Sequence, residues 1–301
     1  MLKQWRTALL VGLAAAICIF ISACGDPGTG SSNTPGASNG CVDGTLVASG
    51  STALQPLVQK VSEAYHTKCS GSNITVQGGG SKTGLSQVEA GSVQIGNSDV
   101  FADKATQGDL VDHQVAAVIF AIIVNGNVGV TNLTTDQLKG IYAGTIKNWK
   151  EVGGPDKPIV VVSRPASSGT RATFQTYVLG GPETASGPSN LTTDSTGTVV
   201  TNVAQTDGAI GYGALGSVKT NTQVKVISID NNQPTADLVA SNTYKFWNIE
   251  HMYTKGEAKD LAKAFIDYMS SDDGKSAAAA LDFVPLATLQ QSAISAHQPT
   301  P

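Results

Sequence analysis

Apolar and polar residues fall along this chain in short blocks whose period switches between that of a strand and that of a helix. Thr45–Ser49 (TLVAS) predicts a short buried strand. Ala53–His66 follows with Leu54, Leu57, Val58, Val61 and Tyr65 spaced to share one face of an amphipathic helix. Pro56 falls in its first turn, where a missing N–H costs little. Asn73–Gln77 predicts a second strand, Thr83–Ala90 a second helix, and Val93–Asp99 a strand running into a polar turn. Val115–Asn125 is a continuous apolar run, which fits a central strand pair or a crossover. Thr134–Gly144 carries a Thr cap signal and a Gly stop, the marks of a helix. Beyond it, Pro158–Ser163 predicts a strand, Arg171–Gly180 a helix, and Gly208–Leu215 a strand in close backbone contact. Gln223–Ile229 predicts a strand leading back to the first group, and the chain from Lys255 supplies C-terminal helices. Strands and helices that alternate across Gly-rich turns predict an α/β fold with mainly parallel sheets.

The N-terminus departs from this pattern. Lys3 and Arg6 precede an apolar run from Ala8 to Ile21, and Ile21-Ser22-Ala23-Cys24 follows. A positive start, an apolar middle and a small-residue end are the parts of an export signal over residues 1–23. The run is shorter than the roughly 18–20 residues that favour a spanning helix. Its last four residues look like a bacterial lipobox, in which Cys24 is lipidated and becomes the new N-terminus. Residues 24–40 are almost entirely Gly, Ser, Thr, Asn, Pro and Ala after Cys24, and predict a flexible tether with a reach of roughly 20 Å. Residues 291–301 predict a frayed tail.

Loss of the leader removes Lys3 and Arg6 and no acid, which moves the formal net charge from −4 to −6. No basic field remains to attract nucleic acid, so any anion site is local. Of the four cysteines, Cys18 lies in the leader and Cys24 is the lipidation candidate. Cys41 precedes the first strand and Cys69 follows the first helix, which sets both at one end of a strand–helix unit. In an exported protein that placement predicts a Cys41–Cys69 disulfide, against two free buried thiols. The four histidines show no metal-ligand spacing, and no C-x-x-C occurs. No metal and no cofactor is expected.

Three strand-to-helix turns share one design. Val47–Leu54 runs through Gly50-Ser51-Thr52-Ala53; Val76–Leu85 runs through Gly78-Gly79-Gly80-Ser81; Val162–Phe174 runs through Arg164, then Ser168-Gly169-Thr170-Arg171. Each offers hydroxyls and free backbone N–H groups at a helix N-terminus, which suits a tetrahedral oxyanion. Alone, any of them is an ordinary N-cap with a glycine turn. The second resembles a nucleotide P-loop but lacks both required glycines, since Val76 and Ser81 stand in their places. Asp99 is the odd member, because a carboxylate repels an oxyanion that is fully ionised. It accepts a hydrogen bond from one that keeps a proton, as hydrogen phosphate does at neutral pH and sulfate does not.

Together, GSTALQPL, GGGSKTGL, IGNSD, LTTDQLKGIYAGTIKNW, SRPASSGTRATF and GAIGYGAL resemble the phosphate-binding proteins of bacterial high-affinity phosphate ABC transporters, the PstS type. The resemblance runs from about Thr45 to Pro285. It implies a two-lobe periplasmic-binding-protein fold of type II, with residues 41–124 and 226–290 in one lobe and 125–225 in the other. It also implies a monomer, lipid-anchored at the extracytoplasmic face of the membrane, that hands inorganic phosphate to permease subunits. Carried over by motif, Thr52, Ala53 and Ser81 donate from the first lobe, and Asp99 accepts the phosphate proton. Arg164 supplies the ion pair, and Ser168, Gly169 and Thr170 the remaining donors. Two positions fall outside the pattern. Lys82 stands where a small residue is usual, with its side chain expected in solvent at the rim. Arg171 is expected to pair with Asp99 or to cap a neighbouring loop. The competing readings are a carrier of sulfate, molybdate or tungstate, and an exported phosphatase. The latter lacks a G-x-S-x-G elbow, because Gly79–Thr83 fails at its last position.

Overall fold

The computed structural model describes residues 41–187 and 190–298. The leader, Cys24 and the tether lie outside the described residues. Strands are β1 (Gly44–Gly50), β2 (Ser72–Gln77), β3 (Ile95–Ser98), β4 (Leu110–Asn125), β5 (Asn132–Leu133), β6 (Val160–Ser163), β7 (Leu191–Thr192), β8 (Ala209–Ala214), β9 (Val224–Ile229), β10 (Trp247–Lys255) and β11 (Phe283–Val284). The helices that frame the site are α1 (Gln55–Lys68), α2 (Ser81–Glu89), α3 (Thr135–Ala143), α4 (Gly169–Phe174) and α5 (Thr196–Gln205).

The strands join in the order β2-β1-β3-β10-β4-β8-β6-β7, with β11 and β9 also on β4 and β5 on β9. Parallel pairing holds at both ends, where β1 flanks β2 and β3, and β6 flanks β7 and β8. The middle is antiparallel, because β10 runs against β3 and β4, and β4 against β8 and β9. The sheet is therefore mixed, where the sequence pattern predicted mainly parallel pairing. The continuous apolar run is one strand. The first half of β4 pairs with β10 and its second half with β8 and β9, so a single buried strand ties the two groups together.

Two further corrections concern the C-terminal part. β9 does not lead back to the first group; it pairs with Ile122–Asn125 of β4 and with β5. The return is made by β10, a strand hidden in the sequence by Asn248, Glu250, His251 and Thr254, all of them buried. The tail is ordered to His297. Gln291–Ala296 is helical, and the His297 ring lies 3.8 Å from Trp247 and 3.9 Å from Tyr177, centroid to centroid. Aromatic burial on both ring faces outweighs the polar composition that suggested fraying.

The described residues belong to one compact unit. Its core runs through both strand groups and includes Phe120, Tyr142, Phe174, Tyr212 and Phe246, whose rings pack edge-on or tilted at 4.7–6.0 Å. Cys41 and Cys69 are bonded, with Cα atoms 5.3 Å apart, and tie the entry of β1 to the end of α1. No helix among the described residues is long and apolar enough to cross a membrane.

Candidate functional site

The three turns and the end of β3 meet at one place. The first turn leaves β1 at Gly50, whose φ of +138° suits glycine, and a Cβ there would collide with the Asn97 carbonyl. Ser51 Oγ accepts from the Ala53 and Leu54 N–H groups at 3.1 and 3.0 Å and caps the entry to α1. Thr52 is then left with its hydroxyl facing the third turn. The second turn approaches the third through Gly80, where a Cβ would stand 2.8 Å from the Ser167 carbonyl. Lys82 N–H donates to that carbonyl at 3.1 Å, while the Lys82 side chain is exposed.

The third turn supplies a buried cation. Arg164 is 1% exposed. Its Nε donates to Thr193 O at 3.1 Å, its Nη2 to Asp194 O at 3.0 Å and Thr52 Oγ1 at 3.1 Å, and its Nη1 to Thr196 Oγ1 at 3.5 Å. Arg164 makes no ion pair among the described residues. Burial lowers its pKa from the ordinary arginine value, and the negative field of Asp99 opposes that effect. A guanidinium keeps its proton even so. A charge this deep without a bonded counter-ion costs several kcal/mol, and an anionic ligand removes that cost.

Ser168 caps α4, accepting from Arg171 N at 3.2 Å. Gly169 lies against the second turn, since a Cβ would meet Ser81 Oγ and stand 2.9 Å from Asp99 Cβ. Thr170 Oγ1 donates to Asp99 Oδ2 at 2.8 Å, and Asp99 N donates to Ser81 Oγ at 2.9 Å. Thr52, Ala53, Ser81, Asp99, Arg164, Ser168, Gly169 and Thr170 are all buried, and the contacts above link them into one cluster. A surface cavity of about 570 Å³ lies instead beside the disulfide, between Tyr65, Lys68 and Asp267. The convergence is closed on itself. Among the described residues, no group of three or more His, Cys, Asp or Glu is placed to hold a metal ion.

Arg171 does not reach Asp99. Its Nη1 donates to Arg164 O at 2.7 Å and its Nε lies 3.6 Å from Glu183 Oε1. Glu183 also accepts from Tyr212 at 2.6 Å and from Ser163. Burial raises the Glu183 carboxyl above its ordinary range, against the pull of Ser163, Tyr212 and Arg171. Charge thus lies behind the third turn rather than beside Asp99. Arg171 holds the Arg164 main chain, which the proximity of the two arginines in sequence did not reveal.

Two residues at the site were missed by motif reasoning. Thr196, at the start of α5, donates its N–H to Thr52 Oγ1 at 3.2 Å. Its signal was legible, since Ser195-Thr196-Gly197-Thr198 repeats the hydroxyl-and-glycine pattern of the other turns, with Ser195 as cap. Glu250 left a fainter trace, the lone acid of a buried strand that also carries Asn248, His251 and Thr254. Its carboxyl is fully buried against Asp99.

The sequence model of the PBP superfamily domain matches residues 35–273. The phosphate-binding protein PstS of Bacillus subtilis is 47% identical over 277 residues, covering 90% of this chain and 91% of the relative. The chain belongs to the PBP superfamily and, within it, to the PstS-type phosphate-binding proteins. Solved structures agree with this family. A candidate phosphate ABC transporter substrate-binding protein from Clostridium perfringens, solved with bound phosphate, matches at a TM-score of 0.76 and 31% identity. That match covers 81% of this chain and all of the other. An ABC-type phosphate transport receptor from Vibrio cholerae matches at 0.65 and 32%, over 79% of this chain and 99% of the other. These family members are transport-associated binding proteins, and the deep arginine and closed turns of the present chain are the features of a binding site rather than of a nucleophile with its base.

Proposed function

We propose that this chain captures inorganic phosphate outside the cytoplasm and delivers it to the permease of an ABC transporter. The observation that carries the reading is Arg164, buried with no carboxylate bonded to it and in the field of Asp99. One cation and a shell of hydroxyls and N–H groups neutralise a dianion. One carboxylate accepts the proton that hydrogen phosphate still carries. Sulfate has no such proton, so it leaves Asp99 facing an anion with no hydrogen between them. That mismatch disfavours a sulfate or molybdate carrier.

Thr52, Ser81 and Asp99 come from the first strand group, and Arg164, Ser168, Gly169 and Thr170 from the second. With the strand group around β1 as one lobe and the group around β6 as the other, phosphate bridges the lobes and favours their closed arrangement. The Ala53 N–H turns from Ser51 Oγ toward the ligand as part of that set. Cys24, lipidated after loss of residues 1–23, anchors a monomer by the 24–40 tether at the outer face of the membrane.

Calorimetric titration of stripped protein with phosphate and with sulfate tests the reading. Phosphate binds one per chain and sulfate at least tenfold more weakly. Equal affinities overturn it.

A further inference from the structure

Deep in the site, three carboxylate oxygens have no hydrogen-bond donor among the described residues: Asp99 Oδ1 and both oxygens of Glu250. Glu250 and Asp99 are 0% and 1% exposed. β10 runs antiparallel to β3 with Tyr253 opposite Gly96, Met252 opposite Asn97 and His251 opposite Ser98. The pairing ends one residue short of Asp99 on one strand and one residue short of Glu250 on the other, so both acids lie at the same end of the ladder. The two carboxyls are within hydrogen-bonding reach of each other. Two bare carboxylates at that distance in a dry interior repel and leave each other's oxygens unsatisfied. One proton between them turns the same contact into a hydrogen bond.

We propose that Glu250 is a positioning residue, a neutral carboxylic acid that donates its proton to Asp99 Oδ1. The inference rests on the phosphate-binding reading. Asp99 is then held from three directions: by Glu250 at Oδ1, by Thr170 at Oδ2 and by Ser81 at its main-chain N–H. It stays an ionised acceptor, and its remaining lone pairs face the ligand. The occupied site holds two protons with distinct places, one on Glu250 and one on phosphate, and each is donated to Asp99.

The groups around the pair agree with this assignment. Burial first, and the Asp99 charge second, push the Glu250 carboxyl well above the ordinary carboxylate range. Arg164, across the site from β6, interacts with Asp99. His251, next along β10, is turned to Asp112 of β4 at 2.8 Å. Neither of these side chains is bonded to Glu250.

Two measurements test the proposal. The first needs no ligand. A carboxyl whose folded pKa is raised binds more protons folded than unfolded, so stability falls as pH climbs above the unfolded value of about 4.3. Glu250→Gln keeps a donor and removes that titration. Denaturant unfolding of stripped protein between about pH 5 and 7 should show the wild-type and E250Q unfolding constants diverging about tenfold per pH unit, with E250Q the more stable. Parallel curves overturn the proposal.

The second measurement reads the acceptor. Glu250→Leu removes the donor, so Asp99 takes up a proton itself and no longer rejects sulfate. The phosphate-to-sulfate affinity ratio should fall at least tenfold in E250L, and E250Q should restore most of it. An unmoved ratio in E250L overturns the proposal. If E250L does not fold, the E250Q stability curves still decide. If the wild-type protein itself shows no preference for phosphate, the functional reading fails, while the unfolding curves still report on the proton.

Discussion

Replacing Arg164 with methionine removes the charge while keeping most of the volume. Four donated bonds are lost, to Thr193 O, Asp194 O, Thr52 Oγ1 and Thr196 Oγ1. Two of them leave main-chain carbonyls without this donor, the buried Thr193 O at about 1–3 kcal/mol and the partly buried Asp194 O at less, since water can reach it. Loss of a desolvated charge with no ion-pair partner offsets part of that cost. The apo protein should therefore fold, with a modest shift in its melting temperature. Binding is affected differently, because the cation that neutralises phosphate is gone. Truncation of one member of a buried charge pair costs about 2–5 kcal/mol, and at 1.4 kcal/mol per decade that is about 30- to 4,000-fold in Kd. Calorimetry on stripped protein, with the apo melt recorded alongside, separates the two effects. A loss below tenfold in a folded R164M protein would refute the placement of Arg164 against the ligand, and with it the charge argument for the site.

Asp99→Asn replaces a pure acceptor with a group that also donates, so the phosphate-to-sulfate ratio should drop at least tenfold by competition calorimetry; an unchanged ratio sinks the acceptor logic. Serine at both Cys41 and Cys69 releases a loop spanning 28 residues and should cost about 3–4 kcal/mol in denaturant unfolding, on the loop-entropy estimate. A cost near zero means the bridge does not constrain the unfolded chain. His297 is 1% exposed and its pKa is pushed down to about 3 by burial, then by Lys245. Its folded pKa lies below the unfolded value of about 6.5, so stability is lost as pH falls through that value, by about 2 kcal/mol at pH 5. His297→Gln should flatten the decline, and hydrogen exchange should show Gln291–Ala296 opening first in the wild-type protein; identical acid profiles count against the buried neutral ring.

Local pattern alone carried a good deal of this protein. The strand-and-helix alternation, the three hydroxyl-bearing turns and Asp99 at the end of a strand are properties of short segments. Short-range rules act within such segments: period, capping and the steric freedom of glycine at Gly50 and Gly80. Tertiary structure decided whatever depends on which segments meet. β10 was concealed because several of its polar residues find their partners only in distant elements, such as Asp112 of β4 for His251 and Thr173 of α4 for Asn248. The tail helix holds through a histidine held between two aromatic rings far away in the chain. Arg171 turns to Glu183 because Tyr212 and Ser163 converge there from other strands. Glu250 comes to Asp99 only because the antiparallel pairing of β10 with β3 ends beside both residues, a proximity that sequence distance hides. Composition and spacing name the donors of an oxyanion site, but burial and register determine which acid carries the proton.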